Sequence, residues 1–559
     1  MKPLSIRESH AGRHILVAGG SGFLGKVWLA MVLQRIPDVG RIYLLVRGKG
    51  RDPRARFEKM LTESYVFKTL HESLGESASE YISRRVEVVE GDVGSENLGM
   101  DPAIAERLRS TVDLVVNFAG LVDFNPDVRE ALSANVDGAL NVADFVQSCR
   151  RARLVHVSTC YVAGHRDGFV DETLRRESPN GEPIDAAQEL ENLHQLIADT
   201  QTENASAEVD ASLHSDVIAR VKRRGLEPTE KRISDMVSRL KRKRLREMMA
   251  KNGSDRAKAL GWPNTYTYTK ALAELLLADR EGLEHAVFRP AIVESALEYP
   301  FGGWNEGFNT SGPLVYLSQT WFRHVPAMPG NPLDVIPVDH VCKALLTVGA
   351  ALLEGVHEQI YQCGSSDLNF LPIDRLVELS ALGHRRHLKK HGSSALERLV
   401  MSRWDATAAD PEHVLNIGNI RALLKQINRY LRHGRPDKLP SEVLEASENL
   451  ADASDTANRK LRQIEDVLEL FQPFTHDHFL VFRCRAIQRH EVVEPEFRFL
   501  PQDIEWRSYW LDAHMPGLRR WCFPQYENTD RERYQPEFPF KLTTMPEPAA
   551  TDDRREGVG

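Results

Sequence analysis

The chain has 559 residues, of which 42% are hydrophobic and 27% are charged. This composition is typical of folded, soluble proteins and excludes wholesale disorder and a fibrous architecture, and the length predicts two or three domains. The formal net charge of -8 argues against a general nucleic-acid binder, so no nucleic-acid partner is expected.

Cysteine usage and hydropathy indicate the cellular compartment. The six cysteines form no CxxC pair and no metal-ligand spacing, which predicts no metal site and a reducing, cytoplasmic environment. The N-terminus lacks the apolar core of a signal peptide. The most apolar later run, Val341 to Val356, is too short and carries Lys343 and Glu354, so no segment is expected to span about 30 Å of hydrocarbon.

From His14 to about Val170, apolar strands alternate with amphipathic helices. The strand-like segments are HILVAG, RIYLLVR, RRVEVVEGD, VDLVVNFAG and RLVHVS, and the pattern resumes at HAVFRPAIV. Repeated strand and helix units need crossover connections, so the sequence predicts an α/β fold with a doubly wound parallel sheet of the Rossmann type. We place this domain at residues 1–365.

A charge-segregated stretch interrupts that domain at about 172–260. The charged residues of its first half are almost all acidic. Residues 220–251 instead hold thirteen Lys or Arg and four acidic residues, a local net charge of +9. We interpret the stretch as a helical insertion. After residue 365 the pattern becomes mainly helical, for example at Arg459 to Phe471, which predicts a C-terminal domain at 366–528 and a flexible tail at 529–559.

A glycine-rich turn follows the first strand and leads into a helix. The turn holds Gly19, Ser21, Gly22, Phe23, Leu24 and Gly25. Glycines permit a tight turn and let the backbone approach a pyrophosphate, while the helix N-terminus offers unpaired N–H groups to its charge. Because the turn lies between a strand and an amphipathic helix, it predicts a dinucleotide site.

Cations end the second strand, at Arg47, Lys49 and Arg51. An enzyme that binds NAD usually places an acidic residue here, which binds the ribose 2′-hydroxyl. Cations instead fit the 2′-phosphate of NADP, so NADPH is the predicted cofactor. Lys49 and Arg51 can equally be solvated loop charges. Arg47 directly follows the strand and carries the prediction.

Two later strand ends complete the predicted cofactor site. Asp92 and Val93 follow the third strand, where they would flank the adenine ring. Asn117, Ala119 and Gly120 follow the fourth strand and would line the floor beneath the cofactor. Ligands of open parallel sheets bind beyond the carboxyl ends of the strands, so these positions form an ordered set.

The predicted catalytic groups are Tyr266 and Lys270, four residues apart at the start of a helix and therefore on one face. A nearby ammonium is expected to ease ionisation of a phenol whose ordinary pKa is about 10. Tyr268 has no lysine at that spacing. Thr159, or its neighbour Ser158, ends the strand LVHVS and would hold the substrate oxygen together with Tyr266.

Together these motifs resemble the extended short-chain dehydrogenases and, more narrowly, the fatty acyl-CoA reductases, whose catalytic domain is also called the male-sterility domain. The resemblance covers roughly residues 13–365 apart from the insertion. The segments that carry it are GGSGFLGK, LLVRGK, NVDG around Asn135, HVSTCYV, PNTYTYTKALAE, FRPAIVES and PFGGWNEGF, with a looser match at IEWRSYWLDAHMPGLRRW.

The resemblance implies Tyr266, Lys270 and a Ser or Thr at the position of Thr159 as the catalytic trio. It also implies cofactor contacts from Tyr266, Lys270, Pro290 and Ile292, and an acyl channel formed with the C-terminal domain. The implied activity is NADPH-dependent reduction of a long-chain acyl-CoA or acyl-carrier-protein thioester through an aldehyde to a fatty alcohol, in lipid metabolism such as wax ester biosynthesis.

Three alternatives stay open at this point. They are another extended dehydrogenase or epimerase, a reductase that stops at the aldehyde, and a non-catalytic NADP-binding protein. The insertion departs from the family pattern. It can form a lid whose basic half attracts CoA phosphates, an acidic carrier protein or an anionic bilayer, which would give peripheral membrane contact, or it can be a solvated hairpin whose halves neutralise each other.

Overall fold

The computed structural model describes most of the chain. The described residues are 3–48, 50, 52–223, 227–307, 311–318, 324–391 and 471–524, with shorter pieces at 399, 405–410, 421–426, 428–429, 450, 454, 458, 462, 468–469, 534–538 and 540–542. Two predicted cations, Lys49 and Arg51, lie outside the described residues, as does most of the predicted helix at Arg459 to Phe471.

The described strands number thirteen within those ranges. They are β1 (Ile15–Ala18), β2 (Ile42–Val46), β3 (Val86–Glu90), β4 (Leu114–Asn117), β5 (Arg153–Val157), β6 (Gly168–Val170), β7 (His285–Pro290), β8 (Ile292–Glu294), β9 (His324–Pro326), β10 (Val335–Pro337), β11 (Ile360–Cys363), β12 (Thr407–Ala409) and β13 (Leu480–Phe482). Seven of them form one parallel sheet in the order β11-β7-β5-β4-β1-β2-β3. This order confirms the predicted doubly wound, Rossmann-type sheet.

Helices cover both faces of the sheet. They are α1 (Ile6–His10), α2 (Phe23–Arg35), α3 (Pro53–Glu63), α4 (Lys68–Leu74), α5 (Ala78–Arg85), α6 (Pro102–Thr111), α7 (Val128–Ala131), α8 (Gly138–Ser148), α9 (Ala186–Asn204), α10 (Ala207–Arg223), α11 (Glu230–Ala259), α12 (Thr265–Ala278), α13 (Gly312–Ser318), α14 (Val338–Leu353), α15 (Ile373–His391), α16 (Arg485–Gln488), α17 (Trp506–Ser508) and α18 (Met515–Trp521). None of the described helices combines the length and the apolar character needed to cross a membrane.

Strand β1 shows how the core is divided. Ile15 and Val17 point to the face that packs on α2 and α14, and Leu16 and Ala18 point to the face that packs on α8 and α12. Successive side chains of a strand alternate between faces, so a strand covered on both sides reads as an unbroken apolar run. The apolar sequence at 341–356 has the same explanation, because α14 is buried along its whole length.

The predicted insertion is helical and consists of α9, α10 and α11. Leu193 of α9 and Met249 of α11 join the core around α12, whereas the apolar residues between α10 and the start of α11 form a separate cluster of their own. Lys241 pairs with Asp210 and Arg244 pairs with Glu203, so acidic and basic halves meet. We call α10 with residues 230–246 of α11 the distal hairpin.

The part of the chain after residue 365 is built onto the sheet-containing part. Strand β13 pairs in parallel with β6, and Phe482 and Trp510 belong to the same apolar core as β1. The described end of the tail is also packed: Phe540 and Leu542 are buried, and the backbone N–H of Leu542 donates to Glu58. These residues depart from the predicted flexible tail.

Candidate active site

The glycine-rich turn has the geometry of a phosphate cradle. Gly19 has a positive φ of 76°, and a Cβ placed there would lie 2.5 Å from the backbone nitrogen of Ala119. At Gly25 a Cβ would lie 2.8 Å from the carbonyl oxygen of Gly19, so α2 can begin this close to β1 only with glycine. Gly22 caps α2 without a side-chain hydrogen bond, and Ser21 beside it is exposed. The first N–H groups of α2 therefore remain available to an anion.

The predicted adenosine side of the site lies at the ends of β2 and β3. Arg47 is exposed directly after β2. Asp92 turns the chain after β3, with its backbone N–H donating to Leu98, and the carbonyl of Val93 accepts a hydrogen bond of 2.8 Å from the Asn141 amide. These residues lie at the same edge of the sheet as the glycine-rich turn, where the sequence predicted them.

The loop after β4 joins the cofactor side to the predicted catalytic helix. Asn117 accepts a hydrogen bond of 3.0 Å from the backbone of Ala119, which contacts Gly19. A Cβ at Gly120 would lie 2.9 Å from the Nζ atom of Lys270. The structure thus brings the glycine-rich turn, the β4 loop and Lys270 into one contiguous region.

Asn135 holds this loop in place by hydrogen bonds, a role that the sequence did not predict. Its side chain is buried, accepts a 2.7 Å hydrogen bond from the backbone of Leu121, and donates at 3.0 Å to Thr269 of α12. It lies on a π-helical turn at Leu132–Asp137, a distortion that is common at functional sites. The NVDG string was the available signal, but the string alone assigns no contact.

Tyr266 lies in the first turn of α12 and shares a hydrogen bond with Thr159. Burial raises the pKa of Tyr266 to about 12, and the hydrogen bond from Thr159 opposes that rise. The sequence-based expectation of an eased ionisation is therefore wrong for the protein without ligands, because loss of water outweighs any effect of a nearby cation. Tyr266 is a neutral phenol at physiological pH.

Thr159, rather than Ser158, contacts the phenol. Thr159 also accepts a hydrogen bond of 3.3 Å from the backbone of Tyr161 and thereby caps the short helical turn at Cys160–Ala163. Ser158 is buried beside it, and its hydroxyl has no hydrogen-bond partner among the described residues. Its backbone N–H donates to Phe288, which fixes the end of β5 against β7.

Lys270 lies one turn further along α12 and is buried. Its Nζ atom donates to the carbonyl of Val157 at 2.9 Å, at the end of β5. Burial lowers the pKa of Lys270 to about 8, although Glu274 opposes the shift. The ammonium is thus held at the meeting point of β5, the β4 loop and α12.

Tyr268 lies in different surroundings, as its spacing predicted. Its hydroxyl donates to Glu189 of α9, which also binds the Arg256 guanidinium, and its ring packs against Trp262. Burial raises the pKa of Tyr268 far above its ordinary value, and Glu189 adds to the shift. This tyrosine joins the insertion to α12.

An aromatic wall faces the phenol of Tyr266. The ring of Phe124 lies 6.3 Å from that of Tyr266, and Phe471 and Phe474 pack on Phe124 at 5.9 and 6.3 Å. Tyr161 packs on Phe474 at 4.7 Å. Sequence reasoning identified none of these rings, because 124, 161 and 471–474 are brought together only by the fold. The wall gives the site an apolar side built partly from the C-terminal part of the chain.

Pro290 and Ile292 lie at the end of β7 and the start of β8, next to the end of β5. Beside them, the segment after β8 covers the start of α2. The ring of Trp304 stacks on Phe23 at 5.2 Å, and Glu306 pairs with Lys26. The predicted cofactor residues therefore share one edge of the sheet, except Lys49, which lies outside the described residues.

Comparison with known proteins identifies the family. A family model described as male sterility protein matches residues 17–345, more than half of the chain. A probable fatty acyl-CoA reductase of Arabidopsis thaliana is 29% identical over 534 residues, covering 90% of this chain and 96% of that protein. The chain belongs to the fatty acyl-CoA reductase family. Another member, the alcohol-forming fatty acyl-CoA reductase of Simmondsia chinensis, is 28% identical over 535 residues, covering 92% of this chain and 98% of its own.

One solved structure supports the fold. The terminal R domain of the myxalamid biosynthetic pathway superposes with a TM-score of 0.51 and 16% identity, covering 91% of each chain. Family membership confirms the predicted resemblance and a reductase with a nicotinamide cofactor. The residues present fit such a cofactor, since the glycine turn would clash with any side chain at Gly19 or Gly25 and leaves the N-terminus of α2 uncapped.

Proposed function

We propose that this reductase converts long-chain fatty acyl thioesters to fatty alcohols with NADPH. The observation that carries the proposal is the pairing of Tyr266 with Thr159 opposite the aromatic wall of Phe124, Phe471 and Phe474. Two hydroxyls can hold one carbonyl oxygen, and an apolar wall can take an alkyl chain. The names of the relatives support the same substrate class.

The chain's own groups have distinct tasks in this reaction. Tyr266 and Thr159 donate hydrogen bonds to the thioester carbonyl and stabilise the oxyanion that develops on it. The neutral phenol of Tyr266 can also supply a proton to that oxygen, because its pKa of about 12 keeps it protonated. Lys270 places a positive charge nearby, held at the end of β5 by its hydrogen bond to the carbonyl of Val157. A nicotinamide cofactor bound along the β1, β2 and β4 ends would supply the hydride.

The alcohol endpoint requires two reductions. The first converts the thioester into a hemithioacetal, which breaks its C–S bond and releases the thiol and an aldehyde. The second adds a hydride to the aldehyde carbon while Tyr266 gives a proton to its oxygen. The reaction therefore consumes two NADPH and two protons per thioester. Retention of the aldehyde against the aromatic wall, by burial of its alkyl chain, would favour the second step over release.

Preference for NADPH rests on Arg47. Its guanidinium is exposed at the end of β2, and it follows a strand whose neighbours β1 and β3 carry the other predicted cofactor residues. A guanidinium binds a phosphate with two parallel hydrogen bonds. Acyl-CoA is the proposed carrier because it appears in the names of the relatives, and acyl-carrier protein is the alternative that the assay compares.

The test is turnover by the purified full-length protein. NADPH oxidation is followed with palmitoyl-CoA, with the same acyl group on acyl-carrier protein, and with a nucleotide sugar, and products are identified by mass spectrometry with a hydrazine present or absent to trap aldehyde. Alcohol from the thioester, at two NADPH per alcohol, supports the proposal. Aldehyde as the sole product would limit it to one reduction, and turnover of only the nucleotide sugar would overturn it.

A further inference from the structure

The distal hairpin exposes a row of cations for which the described part of the chain supplies few acidic partners. We define the basic stripe as Arg232, Arg239, Arg242, Lys243 and Arg246 of α11, all of which are exposed. At 3.6 residues per turn, four of them fall on one face and Arg242 beside it, over about 21 Å of helix. The opposite face of α11, with Lys241 and Arg244, is the one that pairs with the acidic half.

Ion pairing inside the protein does not account for the stripe. Within the described part of the chain, Arg239, Arg242 and Arg246 have no acidic partner, and Lys243 has only Glu247 of its own helix, at 3.6 Å. Asp235, also exposed, is the one acidic residue within the row, three residues after Arg232 and four before Arg239. The insertion therefore neutralises one side of α11 and leaves the opposite side with a net positive charge.

Helix stability does not account for it either. Arg239 with Arg242 and Lys243, and Arg246 with the same two residues, stand at spacings of three or four, where like charges repel and destabilise a helix. Arg232 lies in the first turn of α11, where a cation opposes the helix dipole. Arg232 donates to the carbonyl of Glu227, and Lys243 pairs with Glu247, but the cluster of like charges from 239 to 246 gains little from its own helix, which indicates a ligand outside the chain.

The position of the stripe suits a broad surface. The distal hairpin has its own small apolar cluster, of Val217, Val221 and Val237, so it lies apart from the main core. None of the exposed large hydrophobic residues of the described chain lies on α9, α10 or α11. Protein interfaces have an apolar centre, whereas adsorption to an anionic bilayer needs only charge.

We propose that the basic stripe adsorbs the protein to the surface of anionic lipid bilayers. The binding is electrostatic and peripheral, because the stripe offers Arg and Lys side chains to lipid phosphates and no apolar side chain to insert. It is independent of the proposed reaction. Adsorption would bring the reductase to the phase in which long acyl chains and alcohols accumulate, if the proposed function holds.

The test measures co-sedimentation of the full-length protein with vesicles of phosphatidylcholine alone or mixed with phosphatidylserine. We expect binding only to the mixed vesicles, with loss at high salt, since the Debye length shortens from about 10 Å at 0.1 M to about 3 Å at 1 M. In the variant R239Q/R242Q/R246Q, which keeps helix-forming residues, the partition coefficient should fall about a hundredfold, about fivefold for each cation. These three side chains are exposed, so the circular dichroism spectrum should be unchanged.

A matched variant separates the stripe from overall charge. K59Q/K68Q/R84Q removes one cation each from α3, α4 and α5, of which Lys59 and Arg84 are exposed and Lys68 is half-buried. It should retain vesicle binding within about twofold to threefold, the change expected from net charge alone. Equal losses in both variants, or full binding by the stripe variant, would overturn the proposal. Binding of the stripe to an acidic carrier protein or to duplex DNA in place of vesicles would also overturn it. The vesicle readout needs no turnover, so it stands apart from the test of the reaction.

Discussion

The two faces of α12 use a tyrosine in opposite ways. Toward the insertion, Tyr268 donates to Glu189, and Glu189 is also bound by Arg256, so each group in that trio has a partner. Toward the cofactor loops, the Thr159 hydroxyl is the one hydrogen-bonding partner that the described part of the chain gives Tyr266. Beside it, the Ser158 hydroxyl is buried and has no partner among the same residues. A buried polar group that is fully satisfied stabilises a fold, whereas one that lacks a partner costs stability and is suited to receive a ligand.

The largest test of this difference substitutes each tyrosine. Tyr266→Phe should lower kcat by about 10²-fold to 10⁴-fold, the usual contribution of a positioned acid, while NADPH affinity changes by less than about threefold. Tyr268→Phe should retain kcat per folded molecule and lower the free energy of unfolding by about 1–2 kcal/mol, because Glu189 loses one donor. Steady-state kinetics and urea unfolding check both. A Tyr268 variant that is inactive yet stable would reverse the assignment.

The next-largest effect is expected for the ion pair between Arg256 and Glu189, which supports Tyr268. Arg256→Gln should cost about 2 kcal/mol of stability, less than a fully buried pair because Arg256 is one-third exposed. Burial alone would raise the pKa of Glu189, but the hydrogen bonds from Arg256 and Tyr268 lower it below its ordinary 4.5. A carboxyl group whose pKa is lowered in the folded protein stabilises the fold at pH values above its ordinary pKa. That contribution disappears as pH falls through the pKa of the folded state.

Acid unfolding of Glu189→Gln provides the control for that pair. The wild-type protein should lose stability as pH drops below about 4.5, and the Gln variant should lose less over the same range because it has no carboxyl group to protonate. Urea midpoints at a series of pH values measure the slope. Parallel slopes for both proteins would show that Glu189 does not contribute to acid sensitivity.

On the other face, Lys270 should give the reaction its alkaline limb. Its pKa of about 8 predicts that kcat/KM falls above pH 8, by about tenfold at pH 9, as the ammonium loses its proton. For stability the sign is opposite: the folded pKa lies below the ordinary 10.5, so stability rises between those values as the buried charge is removed. Activity that stays flat to pH 9.5 would contradict a role for the charged form.

The smallest expected effect is at Arg47, which the fold does not need. Arg47→Ala should raise KM for NADPH by about fivefold to tenfold and change KM for NADH by less than twofold, with unfolding unaffected. Lys59→Ala, at another exposed cation, should change neither constant. Equal increases for both cofactors would show that Arg47 does not read the 2′-phosphate.

The sequence predicted the sheet and the glycine turn because both depend on local pattern. Strands such as β1 are apolar throughout, since both faces are covered, and Gly19 lies where only a residue without a side chain fits. The Tyr266 and Lys270 spacing likewise survives folding, because four residues make about one helical turn.

The contacts that the sequence could not predict join distant parts of the chain. Asn135 reaches Thr269, and Phe124 meets Phe471, across separations that no local pattern encodes. The direction of the Tyr266 pKa was wrong for a related reason: spacing shows a neighbouring lysine but not the loss of water around the phenol. The charge blocks of the insertion predicted a helical hairpin. Only the structure shows which of its cations form ion pairs.

Residues near position 4 pack against residues near position 492, and this constrains how the protein can fold during its synthesis. Leu4 bridges to Val492, and the Ser5 hydroxyl donates to Glu494, 489 residues later. Strand β6 and the core around β1 are likewise completed only by residues 480–523. At about 5–20 residues per second, a ribosome needs about half a minute or more to supply that segment after the first strand emerges. During this interval the nascent sheet exposes apolar surface, so we expect a C-terminally truncated chain to require chaperones and to aggregate when they are limiting.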